Sequence, residues 1–219
     1  MAKIKQGILG GFSGKVAGVV GTSWKGRAVM KSRPLSVSNP KTDAQVEQRG
    51  KFSDIAELAS KILTQFIQPV ENPISGDISG YNLFVKDNKN AFNASHAIVA
   101  ADFMCGGGKL PKASSSYVEI NLYNDTARVG WSNGDEATAI RKTDKAYAVI
   151  VLENGDVIAV GGGTETRNDT EIDFSTDVDF SALSVGNKIY ALLAFVSADG
   201  RDVVVRSTAL SSTVVNTEE

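Results

Sequence analysis

The residue pattern closest to a known chemical motif lies near the start of the sequence, in the stretch GILGGFSGKVAGVVG, residues 7–21. Glycine recurs throughout it, and Lys15 directly follows Gly14. A phosphate-binding loop requires G-x-x-x-x-G-K followed by Ser or Thr, placed between a buried strand and a helix. Leu9 stands where the first glycine of that pattern should be, and Val16 follows the lysine. The spacing argues against nucleotide binding, so the glycines need a structural explanation.

The chain contains one histidine, His96, and one cysteine, Cys105. A histidine zinc site, a Ser-His-Asp triad or a Cys-His dyad would all have to use His96, and no nucleophile elbow is present. A single cysteine excludes an internal disulfide and a cysteine metal cluster. We expect both residues to have packing or surface roles, and we predict no enzymatic activity, no catalytic residues, no cofactor and no metal.

The charges are segregated along the chain. Residues 1–51 hold ten Lys/Arg and two Asp/Glu, a balance of +8, whereas residues 52–111 balance at −2 and residues 112–219 at −8. A basic end can bind nucleic acid, or it can meet the acidic end of another copy or of a neighbouring protein. The basic residues are spread singly and without stacking aromatics, which argues against direct nucleic-acid binding. The two charge blocks favour a protein partner.

Composition places the protein among ordinary soluble chains, with 42% hydrophobic and 22% charged residues. No apolar run is long enough to cross a bilayer, so we expect no membrane association. Lys15 and the glycines interrupt the apolar N-terminal residues, and no small-residue cleavage site follows. We interpret the N-terminus as that of a mature protein made inside the cell.

The first half of the chain predicts a hairpin and two helices. Two β-prone runs, 16–24 and 27–32, flank Lys25-Gly26, where Gly26 can supply a tight turn. Interior glycines weaken strands, so this hairpin is poor at standing alone. Thr42 is a suitable N-cap for a helix over 43–67 ended by Pro69 and Pro73, with apolar residues at helical spacing. A second helix is predicted over 79–92.

The second half predicts seven short strands separated by turn signals. They are read at 117–123, 126–132, 145–153, 156–162, 171–175, 188–196 and 202–210. Trp131 is expected in the core, and Leu183, Gly186 and Tyr190 have the spacing of a tyrosine corner, as in fibronectin type III domains. The fold class predicted is α+β: an N-terminal β-hairpin plus two helices, followed by a seven-stranded Ig/fibronectin III-like β-sandwich. The domains predicted are 1–92, a connector 93–112 with CGGGKLP as its most flexible part, the sandwich 113–211, and a tail 212–219.

Three stretches carry a resemblance to a known family: AKIKQGILGGFSGKVAGVVGTSWKG, SNPKTDAQVEQRGKF and YNLFVKDNKNAF. They resemble a family of unknown function from Bacteroidota and their bacteriophages, which opens with a similar glycine-rich motif and later has a Trp-containing β-domain. One departure is Ala17, where the family often has glycine. The resemblance implies no enzymatic activity and supplies no catalytic residues. Its phage members imply a virion component.

Two functional interpretations follow. The first is a non-enzymatic structural protein of a bacteriophage particle, a ring-forming head-to-tail connector or tail component, located in the virion and assembled in the bacterial host cytoplasm. Its partners would be copies of itself in a cyclic ring and neighbouring virion proteins. The alternative is a bacterial interaction or adhesion module that uses the β-sandwich, which would require an export signal.

The first interpretation gives the glycine-rich stretch a role. Residues 7–32 would form an arm packed on neighbouring subunits, because missing side chains let another backbone approach and positive φ values let the arm bend. The competing interpretation folds the hairpin back onto its own helix. The predicted interface residues are Lys15, Val19, Val20, Trp24, Lys25, Arg27, Val29 and Met30, and the predicted structural core residues are Trp131 and Tyr190.

Overall fold

The computed structural model describes residues 13–34, 36, 40–133 and 142–217. The chain divides into two compact units, residues 1–42 and 43–219. The first unit is an antiparallel three-stranded sheet in the order β1-β2-β3, with β1 at Gly14–Val16, β2 at Val19–Trp24 and β3 at Arg27–Ser32. Residues 7–12 of the predicted arm lie outside the described residues.

The N-terminal sheet has one strand more than the predicted hairpin. The turn at Lys25-Gly26 is where the sequence placed it, but a second two-residue turn at Ala17-Gly18 divides the first β-prone run. Ala17 has a φ of 48°, which costs an L-residue more than glycine. The sequence prediction missed this turn because an alanine, not a glycine, takes the positive φ. We call residues 14–32 the meander.

The second unit begins with a helical stretch that is less regular than predicted. Helix α1 spans Asp43–Lys61, starting directly after the predicted cap Thr42, and a π-helical turn follows at Leu63–Ile67. Helix α2, Gln68–Glu71, then contains Pro69 in its first turn. A proline is tolerated at a helix start, since the missing N–H has no partner there. Pro69 therefore lies within the helical path and does not end it.

Helix α3 spans Gly80–Asp87, shorter than the predicted 79–92. Ser79 caps its start by accepting a hydrogen bond from the Asn82 backbone N–H at 3.2 Å. Beyond its end, the buried Asn88 side chain donates to the Phe84 and Met104 carbonyls and accepts from the Met104 N–H. These side-chain bonds replace the helical ladder and turn the chain toward the first strand of the second unit.

The described residues of the second unit contain nine further strands, in three antiparallel sheets with the orders β12-β10-β7-β8, β5-β6-β9 and β11-β4. The strands are β4 Met104–Cys105, β5 Ser115–Asn121, β6 Thr126–Ser132, β7 Lys145–Leu152, β8 Val157–Thr166, β9 Glu171–Asp173, β10 Lys188–Val196, β11 Ser207–Thr208 and β12 Leu210–Thr213. The fold is thus mixed, with helices and several antiparallel sheets. Six of the seven predicted strands lie at or close to their predicted positions, whereas the last, 202–210, is divided between β11 and the start of β12.

The predicted connector 93–112 is part of the sheet structure. Its residues 104–105 form β4, and the Gly107 and Gly108 N–H groups donate to the Val204 carbonyl at 3.0 and 3.1 Å. Gly106 has a φ of 74°, and a Cβ on it would lie 2.6 Å from the Val204 oxygen. The sequence predicted that these glycines form a flexible link. In the structure they are needed because two backbones pass closely here.

The core of the second unit joins the helices to both large sheets. Strand β10 is buried along its length after Lys188, which requires cover on both of its faces. On one face Trp131 of β6 packs edge-to-face on Phe195 at 5.3 Å between ring centres. The π-helical turn contacts β7 and β8, and α2 contacts β10, so the helical stretch covers the other face. The sequence placed boundaries after residues 92 and 112, whereas the compact units divide after Thr42.

Candidate subunit interface

The meander places its side chains on two chemically distinct faces. Register aligns Lys15 with Val20 and Lys31, and alternation puts Arg27 and Val29 on the same side, which we call the basic face. The opposite side, which we call the apolar face, carries small and apolar residues: Gly14, Val16, Val19, Gly21, Ser23, Ala28, Met30 and Ser32. A sheet with one cationic and one apolar face can bind a partner through both, by ion pairing and by burial of apolar area.

The apolar face is exposed to solvent. Val16 is 61% exposed, Met30 is 70% exposed and Val19 is 38% exposed. Burying a valine or methionine side chain fully is worth about 1.5–3 kcal/mol. Several such side chains on one three-stranded sheet are a source of binding energy. A sheet of this size also gains stability when a partner covers its apolar face.

Each predicted interface residue falls in this meander. Lys15, Val20, Arg27 and Val29 lie on the basic face, and Val19 and Met30 lie on the apolar face. Lys25 lies in the β2–β3 turn with a φ of 48°, and Trp24 ends β2 opposite Arg27 in register.

The two residue types that could do chemistry lie in the second unit. The exposed His96 Nδ1 is 2.7 Å from Asp54 Oδ2, between α1 and the loop before β4. Cys105 is buried on β4, and burial raises the pKa of its thiol to about 12. A thiol with so high a pKa is a poor nucleophile at neutral pH. Within the residues that the structure describes, no three His, Cys, Asp or Glu side chains are grouped to hold a metal ion.

The structure adds a buried ion pair that the sequence reading missed. Arg167 and Asp144 are both buried, with Arg167 Nε 3.6 Å from Asp144 Oδ2. The guanidinium lies over the Phe195 ring at 3.8 Å and donates to the Pro111 carbonyl at 2.9 Å. Burial lowers the pKa of Arg167, while Asp144 opposes that shift. The one sequence signal is that Arg167 is the lone cation among the acidic residues 165–179.

Both predicted core residues are buried, but one lacks its expected bond. The Trp131 indole N–H donates to the Arg167 carbonyl at 3.0 Å, which ties β6 to the end of β8. Tyr190 is buried on β10. Its hydroxyl forms no hydrogen bond to any residue in the described ranges, so the backbone bond that defines a tyrosine corner is not seen there.

A second buried acid, Glu71, ends α2 and lies beside Gly106. Glu71 is 2% exposed and accepts a hydrogen bond from the Gly106 N–H at 3.0 Å. Burial, opposed by that hydrogen bond, raises the pKa of its carboxyl to about 7, and nearby Asp87 adds to the rise while Arg206 reduces it. This carboxyl therefore changes charge near neutral pH.

Comparison with known protein families gives a match over most of the chain. The profile of a family of unknown function (DUF6266) matches residues 11–210. No curated protein and no solved structure matches the chain significantly. Among the described residues, no helix combines the length and apolar character needed to cross a membrane.

Proposed function

We propose that this chain, which belongs to a family of unknown function (DUF6266), is a non-enzymatic structural subunit of a bacteriophage particle. It would form a ring in the head-to-tail connector or the tail, and bind its own copies through the meander. The observation that carries the proposal is the exposed, two-faced meander. A sheet with cations on one side and Val16 and Met30 exposed on the other has the character of an interface.

The charge distribution supports contact between unlike ends of two copies. The meander contributes cations from Lys15 to Lys31 with no acidic residue among them, whereas residues 112–219 balance at −8. Opposite potentials steer association and fix orientation. Contact between unlike surfaces is head-to-tail, and such contacts generate rings when the rotation closes.

We propose further that the second unit contains an Ig/fibronectin III-like sandwich. If β5, β6, β7, β8, β9, β10 and β12 are numbered one to seven, the sheets are ordered 1-2-5 and 4-3-6-7. An Ig-type sandwich likewise separates its first, second and fifth strands from its third, sixth and seventh. The pairing of Trp131 with Phe195 across the two sheets supports this arrangement.

Truncation tests the role of the meander. Removing residues 1–33 is expected to abolish the oligomer while the remaining chain still melts cooperatively. Light scattering after size exclusion gives the mass, and negative-stain electron microscopy shows whether the full chain forms rings. Unchanged oligomers from the truncated chain would remove the proposal.

A point variant gives a sharper version of this test, because it leaves the backbone intact. Met30→Ser removes an exposed apolar side chain from the meander, and Val185→Ser removes one of similar exposure from a loop of the second unit. Only Met30→Ser should weaken the oligomer. Equal effects would show that the loss comes from general surface chemistry.

The second candidate function is an adhesion module. Tyr117 on β5 and Tyr123 after it are 48% and 54% exposed, and exposed tyrosines are common in binding surfaces. This function would favour a stable monomer whose binding to a surface or glycan is lost in Tyr117→Ala. A fixed oligomer that retains its mass in Tyr117→Ala favours the structural role.

A further inference from the structure

Strand β9 lies at the edge of its sheet in an acidic part of the chain. Residues 165–179 contain six Asp/Glu residues and one Lys/Arg residue, the buried Arg167. The acids with exposed side chains are Asp169, Glu171, Asp173, Asp177 and Asp179. Charged residues on an edge strand normally discourage pairing with other strands. A strand that brings cations to the same face would remove that obstacle.

The free edge of β9 presents backbone groups at two positions. Trp131 N–H donates to the Thr170 carbonyl at 2.8 Å, and Phe174 N–H donates to the Ala127 carbonyl at 2.7 Å. Antiparallel pairing alternates, so Thr170, Ile172 and Phe174 are directed toward β6. The N–H and C=O groups of Glu171 and Asp173 therefore point away from β6, and they form no hydrogen bond within the described part of the chain.

Strand β1 is also three residues long, and the backbone groups at its outer edge form no hydrogen bond with the residues that the structure describes. Arg33 N–H donates to the Gly18 carbonyl at 2.7 Å, which fixes the alternation between β2 and β3. Val20 then faces β3, and its neighbours Val19 and Gly21 face β1. In register with them, Val16 and Gly14 face β2, so the backbone groups of Lys15 point outward.

We propose that β1 of one copy adds antiparallel to β9 of a second copy, with Lys15 opposite Asp173. The β5-β6-β9 sheet of one subunit then continues into the β1-β2-β3 meander of its neighbour. The inference rests on the proposed role of the meander in self-assembly, and it names the surface of the second copy that receives it.

The two faces of the joined sheet match. Residues in a hydrogen-bonded antiparallel pair lie on the same face, so Lys15 comes beside Asp173 on the outer side. The next pair is Val16 with Ile172, whose side chain is turned toward the core of the second unit. The basic face thus continues the outer surface that carries Glu171 and Asp173, where Arg128 of β6 lies opposite Asp173 in register, and the apolar face continues the apolar inner surface.

The other edge of the meander does not match in this way. On β3, the outward backbone groups belong to Ala28, Met30 and Ser32, which lie on the apolar face. Antiparallel addition through β3 would place Met30 beside an acid and turn Arg27 toward the apolar side. The match between outward backbone groups and side-chain faces therefore selects β1 over β3, although β3 is the longer strand.

Disulfide trapping tests the pairing in the full-length chain, with Cys105→Ala as the background. Cα atoms in a hydrogen-bonded antiparallel pair are about 5.5 Å apart, within the range that a disulfide spans. Mixing a Lys15→Cys chain with an Asp173→Cys chain should give a mixed dimer under mild oxidation. Ser32→Cys, on the outer edge of β3 that the alternation excludes, is the matched control and should give about tenfold less mixed dimer with Asp173→Cys.

The outcomes separate the two levels of the proposal. Efficient mixed dimers with Lys15→Cys and few with Ser32→Cys support β1 addition. Equal yields of mixed dimer from the two variants overturn it. A chain that carries both Lys15→Cys and Asp173→Cys also overturns it if the disulfide forms only within that chain. An oligomer that depends on residues 1–33 but gives no Lys15–Asp173 disulfide overturns this inference and leaves the proposed function intact. A chain that is monomeric at all concentrations overturns both.

Discussion

The guanidinium carbon of Arg167 lies 3.8 Å from the centre of the Phe195 ring, with both side chains fully buried. This places a cation between the two large sheets, beside the carboxylate of Asp144. Removing one partner of a buried ion pair leaves a charge without compensation. The pair therefore makes the strand ends that meet here sensitive to substitution.

We predict that Asp144→Ala lowers the free energy of unfolding by about 3–5 kcal/mol, because Arg167 stays buried without its carboxylate. Urea denaturation followed by tryptophan fluorescence measures the change. In the double variant Arg167→Met with Asp144→Ala, the loss should be smaller than in Asp144→Ala alone. A double variant that loses as much as the two single variants added together would show that the residues act independently.

Trp131→Ala is expected to cost about 3–5 kcal/mol of stability, through the lost ring volume at the contact with Phe195. Trp131→Phe is the companion variant, since it keeps an aromatic ring and removes the indole N–H that donates to the Arg167 carbonyl. It should cost less than the alanine variant. An unchanged melting temperature for Trp131→Ala would refute the role of this residue in joining the sheets.

Tyr190→Phe should change stability by less than about 0.5 kcal/mol, because no described hydrogen bond is lost with the hydroxyl. The tyrosine-corner spacing instead predicts a loss on the order of 1 kcal/mol. Thermal unfolding by differential scanning calorimetry distinguishes the two. A clear loss would reveal a hydroxyl partner and restore the tyrosine corner.

Stability should fall as pH rises from about 4.5 to about 7, because of Glu71. Its pKa is near 4.5 in the unfolded chain and about 7 in the fold, so the folded state binds the proton more tightly. Below pH 4.5 the protonated carboxyl contributes up to about 3 kcal/mol to the free energy of unfolding. This contribution is lost as the carboxyl ionises. Glu71→Gln should therefore be more stable than the parent at pH 8 and should lose this slope. Glu57→Gln, on the exposed side of α1, is the control that should keep it.

The division of the chain leads to a prediction about fragments. Residues 43–217 should fold and melt cooperatively, whereas 113–217 should not, since the latter removes Ile62 and Phe66 from the shared core. Circular dichroism and one-dimensional NMR of the two fragments measure this. A cooperatively folded 113–217 fragment would favour the boundaries that the sequence suggested, with an independent β-domain.

Strands were predictable where local pattern and tertiary environment agree. Strands β6 and β10 match their predicted bounds, because apolar residues and flanking turn signals mark both ends. The stretch 202–210 is equally β-prone, but its residues pair in turn with β10, with the loop before β5, and with β4. Sequence pattern cannot show which of several neighbours a strand will pair with.

The candidate site was predictable in its residues and not in its geometry. The cations and valines of the meander are visible in the sequence, whereas the two faces depend on the turn at Ala17-Gly18, which shifts the register. Arg167 and Asp144 could not be paired from sequence, because they are brought together by the ends of β7 and β8. Phe52 has the helical spacing of the apolar residues of α1 but is exposed, since the core begins at Ile55.

The central claim is that this chain assembles with itself through the meander. Native mass spectrometry of the full-length protein, compared with a variant carrying Val16→Ser and Met30→Ser, tests it most directly. The account predicts one defined oligomer for the parent over a wide concentration range, and monomers for the variant with an unchanged melting temperature of the second unit. A parent that remains monomeric, or a variant that assembles as the parent does, would contradict it.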